Sequence, residues 1–363
     1  MAKKASNSSE FRCEPRWAAS GMTLEELAAL VCKFFIRGKM VSEIVELIKP
    51  YGVEMKREDP YRLISYAAKR GWLRYHAPIE ADLRERLKER HTWLGDVEVV
   101  QTASSDDVAR HAAKLLLRLA REHRRGNPLS EEFHIGFAGG NLLRKTARCF
   151  EEMLRTPDAL PKWIVFHAMV AGFNANDPIT DPNAFFAYFG PEQALQVRAR
   201  FVGLLAPGIV DHQELRRLRA IRVIQRAIER ASEIDVIVSS LGHWKNGCSG
   251  LYNMYSQESP KSLQQLLAAG CIGDMMWRPI GRRGPIEIET EHRTMTLMEL
   301  NQLPDFIARN KRVVLLVGPC ATCHAAKSEV LEAILAQRDR HLVTDLVVDS
   351  RSASGLFYSQ IAA

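Results

Sequence analysis

Apolar residues recur at intervals of three and four along the first eighty positions. Leu24, Leu27, Leu30, Val31, Phe34 and Phe35 predict a helix over residues 23–38. Val41, Ile44, Val45 and Ile48 predict a second. Lys49-Pro50-Tyr51-Gly52 breaks it, because proline cannot continue a helix and glycine accepts the turn. Asp59-Pro60 reads as an N-cap followed by proline at the first helical position. Leu63, Ile64 and Ala67 supply the third apolar face, Gly71 ends it, and residues 72–75 read as a short strand or wing. Two short helices across a tight turn, within residues 43–75, describe a helix-turn-helix. The second helix carries Lys56, Arg57, Arg62, Lys69 and Arg70, which suits major-groove docking. The plainer alternative is a small helical cap with a solvated charged face.

Residues 81–91, charge-rich with Leu83 and Leu87, read as a linker helix. From residue 97 the rhythm changes, and apolar runs of strand length alternate with amphipathic helices. Strands are expected at 97–100, 133–138, 163–171, 235–241, 312–317 and 342–348. Helices are expected at 107–123, 141–154, 191–204, 214–231, 260–268 and 324–337. Val313-Val-Leu-Leu-Val317 and Val236-Ile-Val238 are apolar without alternation, as strands covered on both faces are. The fold class is therefore α/β: an N-terminal winged helix-turn-helix and a doubly wound, mostly parallel sheet. The division is a disordered tail at 1–19, a DNA-binding domain at 20–78, a linker helix at 79–95 and an effector domain at 96–363.

Charge sharpens the picture of the first module. The chain has 363 residues and a net charge of +7, and residues 1–90 hold 18 Lys+Arg against 13 Asp+Glu, an excess of 18 − 13 = +5. A basic module ahead of a nearly neutral remainder fits a nucleic-acid reader joined to a sensor. No apolar run reaches membrane-spanning length, and the charged start has no apolar segment behind it, so a cytoplasmic protein is expected. Seven cysteines without framework spacing read as free thiols in a reducing compartment.

Phe133-His-Ile-Gly-Phe-Ala-Gly-Gly-Asn-Leu142 runs from a strand through a glycine turn into a helix. Such a turn lets backbone approach a ligand, and the helix N-terminus offers N–H groups to an anion. It is neither G-x-G-x-x-G nor a P-loop, and tight strand-to-helix turns need glycine for geometry alone. Ser239-Ser-Leu-Gly-His-Trp244 closes another strand, Ala269-Gly-Cys-Ile-Gly-Asp274 follows a helix, and Lys327 follows the strand ending at Gly318. Ligands of open parallel sheets collect beyond the carboxyl ends of strands, where these segments converge. Cys320-Ala-Thr-Cys-His324 matches a haem-attachment pattern, but export is not indicated. A disulfide switch or half a zinc site remain open, with Cys248 and Cys271 far away in sequence. Incidental thiols are the simplest reading, so no metal ligand set and no cofactor are expected. Glu229 and Glu233 lie i, i+4 among Arg226 and Arg230, a solvated face, and Met275-Met-Trp277 reads as packing.

The ordering of these pieces resembles the SorC/DeoR-like family of sugar-responsive bacterial transcriptional regulators. The matching segments are Arg62–Gly71, Ile135-Gly-Phe-Ala-Gly-Gly140, Leu205-Ala-Pro207, Ser240-Leu-Gly242, Gly270-Cys-Ile-Gly-Asp274, Lys327 and residues 341–353. The resemblance covers the chain from about residue 20 onward. It implies a helix-turn-helix, a sugar-phosphate-isomerase-like α/β domain that binds a phosphorylated sugar, and a dimer or tetramer. Its DNA contacts would come from Lys56, Arg57, Tyr61, Arg62 and Lys69. Its effector contacts would come from Gly136, Gly139, Gly140, Asn141, Gly242, Asp274 and Lys327. Three departures stand out. Gly139 and Leu142 occupy positions where the family has tryptophan and threonine, Glu58 and Asp59 open the recognition helix, and a cysteine-bearing insertion precedes Lys327.

The main rival is a sugar-phosphate isomerase or deaminase, with His243, Asp274 or Asp349 as base near strand ends. A redox-responsive regulator using Cys320 and Cys323 is the third reading.

Overall fold

The computed structural model describes residues 21–73, 76–156, 159–172, 177–191, 194–337 and 340–358. The tail expected at 1–19, and Arg74 and Tyr75 of the expected wing, lie outside the described residues. Contacts divide the chain into two compact units, meeting at His76 and Ala77.

The N-terminal unit holds three helices: Leu24–Ile36, Val41–Ile48 and Asp59–Lys69. Thr23 caps the first through a reciprocal pair with Glu26, whose amide donates to Thr23 Oγ1 at 3.1 Å. The second ends in a single 3₁₀ turn closed by Gly52 at φ +75°, a left-handed position that glycine adopts without cost. Leu27, Ala28, Val31, Ile44, Ile48, Val53, Leu63 and Tyr66 pack as one core. Trp72 and Leu73, expected to begin a wing, form a bend, and Trp72 stacks edge-on against Tyr66 at 5.9 Å.

The second unit is mixed α/β around a mostly parallel sheet. Its strands are β1 (Val97–Val100), β2 (Glu132–Phe137), β3 (Trp163–Ala168), β4 (Arg198–Val202), β5 (Ile209–Asp211) and β6 (Val236–His243). They continue as β7 (Cys271–Met275), β8 (Arg278–Gly281), β9 (Gly284–Pro285), β10 (His292–Thr294), β11 (Arg312–Val317) and β12 (Asp345–Asp349). The parallel strands run in the order β1-β12-β11-β6-β2-β3-β4. From β2 the chain winds outward through β3 and β4, then crosses to β6 and winds the other way through β11 and β12. The order therefore reverses between β2 and β6, where open sheets leave a crevice at their carboxyl ends. β7, β8 and β9 add an antiparallel extension to β6, and β5 pairs antiparallel with β10. Phe133, Ile135, Phe166, Val314, Leu316 and Val347 are all buried, as the unbroken apolar runs required.

Several expectations change. The helix expected at 191–204 is instead the edge strand β4, parallel to β3. The helix expected at 214–231 is two, His212–Arg219 and Arg222–Glu229, broken at Ala220 and Ile221. The helix expected from 324 begins at Ser328, so Lys327 is its N-cap residue rather than a helical one. The helix Ala81–Arg90, read as a linker, packs against the α/β unit. Leu87 is fully buried, Arg86 lies 4.1 Å over Phe357, and Arg90 donates to the Leu356 carbonyl at 2.7 Å. Among the described residues, no helix is long and apolar enough to cross a membrane.

Candidate functional site

The crevice between β2 and β6 gathers most of the expected effector residues. β2 leads through Gly139 and Gly140 into the helix Asn141–Leu154, and Gly140 sits at φ +121°, where a side chain is strained. A Cβ on Gly140 would meet Ser240 Oγ of β6 at 3.7 Å, and one on Gly139 would meet Trp277 at 3.4 Å and the Thr180 carbonyl at 3.1 Å. The Gly140 amide already donates to the Thr180 carbonyl at 2.9 Å. Leu142 turns into the core. Gly136 is placed differently from expectation. It lies mid-strand in β2 between His167 and Ile237, and a Cβ there would collide with the Met169 side chain, so its smallness serves packing.

One residue beyond Ser240, the Leu241 carbonyl accepts from Lys327 Nζ at 2.5 Å. Burial holds Lys327 below the usual lysine range, against the opposing pull of Cys320, Asp274, Asp349 and Cys323. Its backbone amide donates to Ser352 Oγ at 3.0 Å, which fixes the residue at the helix start. Gly242 pairs with Asp274 across β6 and β7, and a Cβ on Gly242 would strike the Asp274 carboxylate. Asp274 is buried, and its Oδ2 accepts from Trp244 Nε1 at 2.9 Å and from Ser249 Oγ. Burial raises its pKa, while Ser249, Trp244 and Lys327 oppose the rise. Asp349, at the end of β12, is wholly buried, with one oxygen accepting from the Ser352 amide at 2.9 Å and Oδ2 without a hydrogen bond.

At the same strand ends the topology adds a group the spacing did not assemble. His243 closes β6, Cys248 follows on the next turn, and Cys320 and Cys323 follow β11. One ligand atom from each lies within 4.8 Å of the other three. Cys323 Sγ is 3.4 Å from His243 Nε2. The usable signal in the sequence was His243-x₄-Cys248 beside Cys320-x₂-Cys323, two pairs at metal-ligand spacing. Trp244 and Ser249, which tether Asp274, had no such signal.

A cleft of about 710 Å³ lies elsewhere, lined by His212, Arg219, Tyr255, Arg278, Arg293 and Glu299 among others. Its arginines, Arg219, Arg278 and Arg293, are matched in formal charge by Glu287, Glu289 and Glu299. Glu299 Oε1 takes Arg278 at 2.7 Å, Arg293 at 2.9 Å and Arg219 at 3.8 Å. Burial brings the Arg278 guanidinium down to about 10. This balance makes the cleft a weaker candidate for an anion than the strand ends, where Lys327 stands.

On the N-terminal unit, Lys56, Arg57, Tyr61, Arg62 and Lys69 are all exposed. Asp59, one of the two acidic residues that open this helix, is turned inward. It is wholly buried, accepts from the Lys56 amide at 2.7 Å and lies 3.7 Å from Arg62.

Residues 77–357 match the family described as "Putative sugar-binding domain". The chain belongs to this family. No curated protein matches it by sequence. In fold the family member resembles the full-length sorbitol operon regulator SorC from Klebsiella pneumoniae, at 15% identity and TM-score 0.58, over 91% of this chain and 97% of that one. It also resembles a DeoR family transcriptional regulator from Listeria monocytogenes, at 17% identity and TM-score 0.56, over 76% and 98% of the two chains. These likenesses bear out the SorC/DeoR-like resemblance drawn from the motifs.

Proposed function

We propose that this protein is a DNA-binding transcriptional regulator whose α/β unit takes a small, phosphorylated sugar. The observation that carries the reading is Lys327. It is a half-buried cation at the β6 end, one residue along β6 from the contact with the Gly140 turn. An anionic group received by the Asn141 helix N-terminus would find its countercharge there. Asp274, held by Trp244 and Ser249, then faces sugar hydroxyls and not phosphate, because two anions in contact repel. The exposed basic residues Lys56, Arg57, Arg62 and Lys69, with Tyr61, form the DNA-facing side of a helix-turn-helix. Regulators of this form read two half-sites through a two-fold, which makes the working species a homodimer or tetramer.

A thermal-shift screen against sugar phosphates tests the reading, because a ligand that binds only the folded state raises its apparent stability. Lys327→Met should weaken a phosphorylated ligand by about 1.5–3 kcal/mol and leave the unphosphorylated sugar nearly unaffected. Equal weakening of both ligand classes, or no shift with any sugar phosphate, overturns the phosphate assignment.

A further inference from the structure

We propose that His243, Cys248, Cys320 and Cys323 form a Zn(II) site, with three thiolates and one imidazole as ligands. The four donor atoms lie within 4.8 Å of one another, before any ion draws them in. Tetrahedral zinc with Zn–S near 2.3 Å and Zn–N near 2.05 Å places sulfurs about 3.8 Å apart and a sulfur about 3.6 Å from the nitrogen. The Cys323–His243 separation of 3.4 Å already meets that requirement. The remaining pairs need to close by about 1.2 Å at most.

Local backbone supports the same reading. Cys320 and Cys323 sit on a loop closed by two amides, Cys320 N–H to the Ala325 carbonyl and His324 N–H to the Cys320 carbonyl, each at 3.0 Å. His324 pays for this tightness with φ +54°. The loop carrying Cys248 turns through Asn246 at φ +58° and Gly247 at φ +64°. Two tight turns from separate parts of the chain thus present their sulfurs to one point. Cys271, buried on β7, and Cys149 are not members of the group.

The ligand chemistry selects the ion. Three soft thiolates and an imidazole suit Zn(II), and four protein ligands describe a closed, structural site. Binding displaces three thiol protons to solvent, and the neutral imidazole gives up no proton. The zinc centre then carries a net charge of −1, and Lys327, within electrostatic reach of Cys320 and Cys323, offsets it. The ion ties the end of β6 to the loop after β11, so it fixes the segment that holds Lys327. This inference is independent of the ligand assigned to the crevice.

The test uses the reduced full-length protein, stripped of metal with a chelator and titrated with Zn(II) against a chromophoric competitor. One equivalent should bind per chain. Co(II) in its place should show the visible bands of a tetrahedral site and a strong near-ultraviolet sulfur-to-cobalt band. Cys323→Ser, at an exposed position, should weaken Zn(II) binding at least tenfold and diminish the sulfur-to-cobalt band. Cys149→Ser should change neither. Circular dichroism of each variant establishes that it is folded. Failure of the reduced protein to hold one equivalent overturns the proposal. So does a folded Cys320→Ser/Cys323→Ser variant that keeps the ion, which would put it at the second potential ligand group, His134, His167 and Glu233.

Discussion

His134 and His167 face each other on β2 and β3, with Nδ1 of the first 3.0 Å from Nε2 of the second. Glu132 lies 3.2 Å from His134 Nε2, and Glu233 lies 3.5 Å from its Nδ1. The other ring nitrogen of His167, Nδ1, is buried without a hydrogen-bond partner. Burial, helped by His134 and Arg230, lowers His167 to about 3. His134 is lowered too, by burial, against the carboxylates around it. A histidine lowered in the folded state binds its proton first in the unfolded chain. Stability should therefore be unaffected above pH 6.5 and fall as pH drops from 6.5 toward 3. The slope is at most about 1.4 kcal/mol per pH unit for one such group. Denaturant unfolding of His167→Phe across this range should show a shallower slope than the parent protein. Parallel slopes would mean that the pair does not titrate as described. None of this was legible in the sequence: the two histidines are separated by a whole helix and meet only through strand pairing.

Elements were legible where their signals are local. The helix Asn141–Leu154 and the strand Arg312–Val317 have the expected bounds, because a glycine turn opens one and an unbroken apolar run makes the other. β4 was misread because Arg198-Ala-Arg-Phe-Val202 is an edge strand whose pairing with β3 leaves no trace in its own periodicity. The helix Asp59–Lys69 was readable from Pro60 and its apolar face, and the structure adds why Asp59 belongs at its start. It is the first helical residue and not the N-cap, which is Glu58; buried and bonded to the Lys56 amide, it ties the preceding turn to the helix and lies 3.7 Å from Arg62. An arginine held at the start of an exposed basic helix is suited to a base edge. Arg62→Ala should cost about 1–3 kcal/mol in operator affinity, with binding that weakens steeply as salt rises. Gel-shift titrations that give equal affinities for the two proteins, or no binding to upstream DNA at low salt, would remove this helix from the interface.

At the scale of the whole molecule, the doubly wound architecture was evident from alternation, and so was the gathering of glycine turns at the strand ends. Which residues touch there was not. Gly242 and Asp274 were both in view, but their closeness depends on β7 folding back antiparallel to β6, and Trp244 and Ser249 became visible only with it. Lys327 was legible as a residue but not as the cap of its helix. The thiol–imidazole group has the same origin: its two halves are ordinary at a distance and distinctive only when β11 is laid beside β6.

Glu299 sits among Arg278, Arg293 and Arg219 as the shared carboxylate of a 710 Å³ cleft. Three guanidinium groups arranged around one removable anion amount to a receptor that already contains its own ligand. Glu299→Gln would empty that receptor and leave like charges facing one another, one of them on an almost wholly buried arginine. The variant should melt lower than the parent in dilute buffer and recover most of the difference when sulfate or phosphate is added, whereas the parent should respond little. If added anions shift both proteins equally, the carboxylate is not what keeps the cleft neutral.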